Sequence, residues 1–220
     1  MNRFAHSSGQ QIAAEFFGTL LLLCTVIGSG VMGQRLAGGN MALALIANTL
    51  ATVCILYVLI ELIAPISGAH FNPLVTLLVG THHWRCKLAV ITAQGAGAIG
   101  GAWLANAMFE LPVLQLATTS RTGWGQWLGE CVATACLLLV VYRTSADKAA
   151  SHVAAVIGAA YWFTSSTSFA NPVAVLGRMM SDSFAGIAPA SALGFIAAQA
   201  VGAAVAYGLN HGLKVQKVPL

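Results

Sequence analysis

The chain has 220 residues, 58% hydrophobic and only 7% charged, with a formal net charge of +4 and a mean hydropathy of +0.80. A soluble domain carries about a quarter charged residues, so this composition excludes one and marks an integral membrane protein. The apolar segments are too long for transmembrane strands and lack strict alternation, which excludes a β-barrel, and the basic residues are too scattered to form a nucleic-acid face.

A polar tail of ten residues comes first. The apolar run 12–32 is longer than a signal-peptide core, so no cleaved leader is expected. The first span is predicted over 11–32, followed by a Gly-rich loop at 34–40 and a second span over 41–64. Pro65 to Gly68 is expected to break that span. A short helix then starts at Asn72-Pro73 and runs to about Gly80. A polar, basic loop covers 81–87, the third span 88–109, and the longest connection 110–126. The fourth span is placed over 127–142, a loop over 143–148 and the fifth span over 151–167. A second short helix starts at Asn171-Pro172 and ends before Ser181. The sixth span covers 190–213, and a basic tail carries Lys214 and Lys217.

The two short helices carry the functional signal. Asn in N-cap position satisfies free backbone N–H groups, and Pro at the first helical position has no N–H to strand. A helix start at membrane depth is tolerated only where it is buried in protein or lines a cavity. One such start per half of the chain points to a pore or transport site.

The halves repeat. Ala14-Glu15-Phe16-Phe17-Gly18 opens the first span and Gly129-Glu130-Cys131-Val132-Ala133 the fourth. Ala93-Gln94-Gly95-Ala96-Gly97 in the third span matches Ala198-Gln199-Ala200-Val201-Gly202 in the sixth. Three spans per half force the second half to insert upside down, so the expectation is an all-α membrane protein of six transmembrane helices plus two re-entrant half-helices in an inverted repeat. The whole chain, 1–220, reads as one channel domain, with repeat one at about 11–109 and repeat two at about 127–213. With the termini inside, the inner segments hold Arg3, Arg85, Lys87, Arg143, Lys148, Lys214 and Lys217, and the outer ones Arg35, Arg121 and Arg178. That asymmetry predicts a multi-pass protein of the cell membrane with both termini cytoplasmic.

Four of the five cysteines lie in apolar segments and Cys86 in a basic loop, without a CxxC or a paired framework, so they read as small buried hydrophobes. No Cys/His/Asp spacing suggests a metal, no catalytic arrangement stands out, and neither enzyme activity nor a cofactor is expected. The glycines within the spans read as helix-packing points.

These motifs resemble the major intrinsic proteins, the aquaporin and aquaglyceroporin family, over nearly the whole length. The resemblance is carried by residues 14–19, the run Ser67-Gly68-Ala69-His70-Phe71-Asn72-Pro73, both Gln-containing motifs and the second Asn-Pro at 171–172. It implies two half-helices meeting head to head, one pore per subunit and a homotetramer in the lipid bilayer. Asn72, Asn171 and His70 would line the pore. The family's Asn-Pro-Ala is altered here to end in Leu74 and Val173, which enlarges the apolar contact where the half-helices meet. Glu15 and Glu130, ionisable residues within spans, would accept hydrogen bonds from the backbone leading to each half-helix, a structural role. Glu61 has no counterpart and receives no role. His82 and His83 read as solvated loop residues.

Water-selective members carry Arg three residues after the second Asn, where this chain has Ala174; glycerol-conducting members usually add Asp next, where it has Val175. The other positions of the selectivity filter follow by spacing: Ser168, Ala159 or Gly158, and Thr52 or Asn48. Arg178 shares a helix face with Ala174 but lies about 6 Å further along, and reads as a mouth residue unless it folds inward. The resulting expectation is a passive channel with a wide, arginine-free filter. It would pass water, glycerol-like polyols and undissociated metalloid acids such as arsenite. A coupled secondary transporter is the alternative; it requires a buried titratable cluster, for which Glu15 and Glu130 are the candidates.

Overall fold

The computed structural model describes residues 8–80 and 83–213. Among them every regular element is helical: α1 (Ser8–Leu36), α2 (Met41–Ser67), α3 (Pro73–Leu78), α4 (Trp84–Met108), α5 (Trp124–Arg143), α6 (Ala149–Phe163), α7 (Pro172–Met179) and α8 (Pro189–Gly212), with a 3₁₀ turn at Ala146–Lys148. Helices α1, α2, α4, α5 and α8 are long and apolar enough to cross a membrane. Helix α6 has 15 residues; with the adjoining 3₁₀ turn it reaches about 28 Å, close to the hydrocarbon thickness. The result is six transmembrane helices and two half-helices.

Helix α1 packs on α4 and α2, and α5 on α8, with α2 against α6 bridging the two groups. Without a hydrophobic drive between helices in lipid, close packing of small residues holds such a bundle. A Cβ at Gly97 or Gly101 would overlap the carbonyl oxygens of Phe16 and Leu20, and one at Gly202 that of Cys131. The α1–α4 and α5–α8 crossings therefore use the glycines of the two repeated Gln motifs in the same way.

Several boundaries differ from the sequence expectation. Helix α2 runs through Pro65 to Ser67 and stops at Gly68, whose φ of 94° is left-handed. Proline removes one donor, and this close to the helix end the remaining ladder carries on past it; glycine at the left-handed position then ends it. Helix α4 starts at Trp84, four residues early, because the His83 imidazole caps it through the Arg85 N–H at 3.5 Å. His83 is thus an exposed loop residue that also caps α4, and His82 lies outside the described residues. Helix α5 starts at Trp124, and α6 ends at Phe163 instead of 167.

The ends of the bundle are tied differently. At one end the 109–123 connection lies along the 180–188 loop: Ala117 N–H donates to Met179 O at 2.9 Å, Ala188 N–H to Thr119 O at 2.8 Å, and Thr118 N–H to Asp182 Oδ1 at 2.8 Å. At the other end Lys87 Nζ donates to Leu77 O and Arg143 to Asn210 and Leu213.

Candidate functional site: a cavity between two head-to-head half-helices

The loops before the half-helices share one local design. Ala69 and Phe71 precede Asn72 with φ of 50° and 48°; Ser168 and Ala170 precede Asn171 with φ of 48° and 47°. A left-handed non-glycine residue costs about 1–2 kcal/mol, so each loop needs an external brace. Glu15, fully buried, supplies the first. Its Oε1 accepts from Ser67 Oγ at 2.7 Å and His70 N–H at 2.8 Å; its Oε2 accepts from Phe71 N–H and Gln94 Nε2, both at 2.8 Å. Glu130 repeats the arrangement, accepting from Phe169 N–H at 2.8 Å, Ala170 N–H at 2.9 Å and Gln199 Nε2 at 2.6 Å. Hydrogen bonds to a carboxylate are about twice as strong as neutral ones. The repeated Gln residues, without a role in the sequence reading, are the clamps that hold these acids.

The asparagines join the two halves. Asn72 Oδ1 accepts from Leu74 N–H at 2.9 Å while its Nδ2 donates to Ala170 O at 2.9 Å. Asn171 Oδ1 accepts from Val173 N–H at 3.1 Å while its Nδ2 donates to Phe71 O at 2.7 Å. Each amide caps its own half-helix with one end and grips the opposite loop with the other. Both half-helix N-termini thus meet at one level with their positive ends together.

A cavity of about 190 Å³ runs past this junction. Its wall is mostly aliphatic, with Leu22, Val26, Leu56, Val75, Val153 and Ile157 among its residues. The polar positions are few: Thr52, His70, Asn72, Thr144, Tyr161, Ser168, Asn171 and Arg178. An apolar tube with sparse polar groups limits the hydrogen bonds a solute exchanges on the way through.

Of the predicted site residues, His70, Asn72, Asn171, Thr52, Ser168 and Ala174 border this cavity. Leu74 and Val173 do not. Val173 is buried in the central core with Ala170, and Leu74 packs beside Val75 and Leu138. Asn48 turns away, donating to Val26 O and Ser29 Oγ, which leaves Thr52 as the α2 position. Ala159 is exposed, on the outside of α6, and a Cβ at Gly158 would press on Val53. The cavity face of α6 is instead Val153, Ile157 and Tyr161, a four-residue spacing. Tyr161 was legible only as the next step of that spacing; its hydroxyl lies 3.4 Å from Thr52 Oγ1.

Of the two readings left open for Arg178, the inward fold is the one the structure has. Arg178 is 2% exposed and borders the cavity. Its Cζ stacks 3.3 Å from the centre of the Phe169 ring, and its Nε donates to Ala185 O. The side chain folds back along α7 because burial of its planar group needs a flat partner and a carbonyl, and Phe169 and Ala185 supply them. Arg121 lies on the same ring at 5.4 Å and donates to Gly186 O and Phe184 O. Burial pulls the Arg121 guanidinium below the usual arginine range, opposed by the fields of Glu130 and Tyr161.

Comparison with known proteins agrees with this geometry. The family model for the major intrinsic protein matches residues 4–168. The chain is 45% identical over 210 residues to the aquaglyceroporin AqpS of Rhizobium meliloti (strain 1021), a match spanning 93% of this chain and 90% of the relative. It is 32% identical over 184 residues to aquaporin A of Dictyostelium discoideum, covering 74% and 65%. In fold it resembles the X-ray structure of the aquaglyceroporin from Plasmodium falciparum, with a TM-score of 0.67 at 18% identity over 93% of this chain and 96% of that one. The family match stops just short of Asn171, and the second half-helix with its reciprocal asparagine bonds completes the pattern. The chain therefore belongs to the major intrinsic protein family of passive membrane channels for water and small neutral solutes; it is a channel, not an enzyme.

Proposed function

We propose that this channel conducts water, glycerol-like polyols and undissociated metalloid acids such as arsenite, as a homotetramer in the cell membrane with both termini cytoplasmic. The observation that carries the reading is the continuous cavity wall at Asn72 and Asn171, where two helix N-termini converge and a sparse set of hydrogen-bonding groups interrupts an aliphatic tube. Positive helix ends at that depth oppose cations and protons. Small side chains at Ala174, Ser168 and Thr52 leave room for solutes larger than water. Similarity to an aquaglyceroporin over most of the chain supports the polyol class. The basic residues Arg85, Lys87, Arg143 and Lys148 gather at the end where α4 starts and α5 stops, which favours that end as cytoplasmic.

A coupled transporter needs a titratable group free to exchange ions. Both oxygens of Glu15 and of Glu130 are engaged by loop and glutamine donors, which argues for bracing. The test is stopped-flow light scattering on proteoliposomes with water, glycerol, urea and arsenite. Fluxes above protein-free vesicles, insensitive to imposed pH and ion gradients, are expected. Accumulation of any solute driven by a gradient would replace the channel with the transporter.

A further inference from the structure

We infer that Arg178 is a specificity-determining residue of this channel: its guanidinium, folded back one helical turn beyond Ala174, acts with the hydroxyl of Ser168 as a donor site for an acceptor oxygen of the passing solute. The inference rests on the channel reading and adds to it the groups that choose among solutes.

Three observations meet at this end of the cavity. First, the guanidinium is held in place. Phe169 lies flat beneath it at 3.3 Å, and that ring is fixed edge-on against Phe195 at 5.0 Å. Nε is tied to Ala185 O. Among the described residues the two terminal nitrogens take no protein acceptor, so they remain for a solute. Second, Ser168 is 2% exposed and its Oγ is a buried hydroxyl without a hydrogen-bond partner in the protein, yet it borders the same cavity. A buried hydroxyl left unpaired costs about 1–3 kcal/mol, a cost removed whenever a permeant oxygen or water sits beside it. Third, among the described residues no carboxylate borders the cavity. Arg121 stacks near the same ring, so a second guanidinium lies behind Arg178, with Glu130 close to both.

The chemistry of the preferred solute follows. It presents oxygen acceptors to the guanidinium and accepts from or donates to the Ser168 hydroxyl, and it carries no positive charge. Polyols, amides and undissociated hydroxy acids meet those conditions. Inorganic cations and protonated amines do not. Thr52 and Tyr161 add hydroxyls to the same wall.

A purely structural role would have Arg178 do no more than hold the 180–188 loop through Ala185. The two roles separate in proteoliposomes carrying the full chain, with water and glycerol permeability and potassium leak as readouts. Arg178→Leu is expected to lower the glycerol-to-water ratio by about tenfold, the scale of one lost hydrogen bond to a charged group, and to raise potassium leak. Arg178→Lys keeps the charge but loses the planar fork; its leak should stay low while the ratio shifts. Ser168→Ala removes a hydroxyl that holds nothing in the fold and replaces it with a residue type already found left-handed at Ala69 and Ala170. Its folded yield should match wild type and its glycerol-to-water ratio should fall. If the Arg178 variants do not fold, Ser168→Ala decides alone. Monodisperse Arg178→Leu with wild-type ratio and leak, or Ser168→Ala with a wild-type ratio, overturns the inference while leaving the channel reading intact. Wild-type protein that passes neither water nor glycerol overturns the channel reading, and the inference with it.

Discussion

Ala174 shows how one position sets the shape of the cavity wall. It stands three residues after Asn171, and its methyl group leaves open the space that Arg178 borders from one turn further on. A long side chain introduced at Ala174 would project into the cavity beside Ser168 and Thr52. It would also place two guanidinium groups four residues apart on one helix face, which costs a few tenths of a kcal/mol. Ala174→Arg is therefore expected to fold with slightly reduced stability and to lower the glycerol-to-water permeability ratio by on the order of tenfold, about 1.4 kcal/mol of added barrier for the wider solute. Water, small enough to pass beside the new donors, should be slowed less. The check is stopped-flow permeability with protein amount matched by blot. An unchanged ratio in well-folded Ala174→Arg protein would move the selective point elsewhere along the cavity.

At the scale of elements, the half-helices are short, six residues in α3 and eight in α7, too short to be stable alone. They persist because the loops ahead of them are braced from behind. Glu130 on α5 holds the backbone of Phe169 and Ala170, and Gln199 on α8 holds Glu130. Two helices thus fix the left-handed residues that aim Asn171 across the junction. Replacing Glu130 with Gln exchanges one acceptor oxygen for a donor facing other donors, at a cost of about 2–3 kcal/mol. Glu130→Gln should lower the monodisperse yield in detergent well below wild type, while the surviving folded protein keeps its glycerol-to-water ratio. A normal yield together with an altered ratio would show that Glu130 acts on the solute path instead of the loop.

For the whole molecule, the two ends are chemically unequal. One carries Arg85, Lys87, Arg143 and Lys148; the other carries Arg35, Arg121 and Arg178, two of which stack on Phe169. Thr119 in the long connection and Asp147 in the 3₁₀ turn are exposed and lie at opposite ends of α5. In intact cells, a membrane-impermeant thiol reagent should label Thr119→Cys from outside and Asp147→Cys only after permeabilisation. Labelling of both from the same side would sink the topology. Chemical cross-linking of the purified protein should give a ladder ending at four subunits; a ladder ending at two would remove the tetramer.

Much of this protein was fixed by local pattern. Span length and hydropathy defined the membrane helices, because lipid forces every backbone donor to be satisfied within a segment. The two Asn-Pro steps marked the half-helices, since cap chemistry is local, and the mirrored Glu and Gln positions marked the repeat. Other features depend on side chains distant in sequence and were invisible to spacing. Asn72 reaches Ala170 and Asn171 reaches Phe71, contacts that exist only once the halves are packed head to head. Ala159 was placed on the cavity by spacing alone, while the packing of α6 turns Val153, Ile157 and Tyr161 to the cavity instead. Arg178 was read outward by its distance along α7. Its inward fold is decided by Phe169, nine residues earlier, and Ala185, seven later, which together offer the flat face and the carbonyl that a buried guanidinium requires.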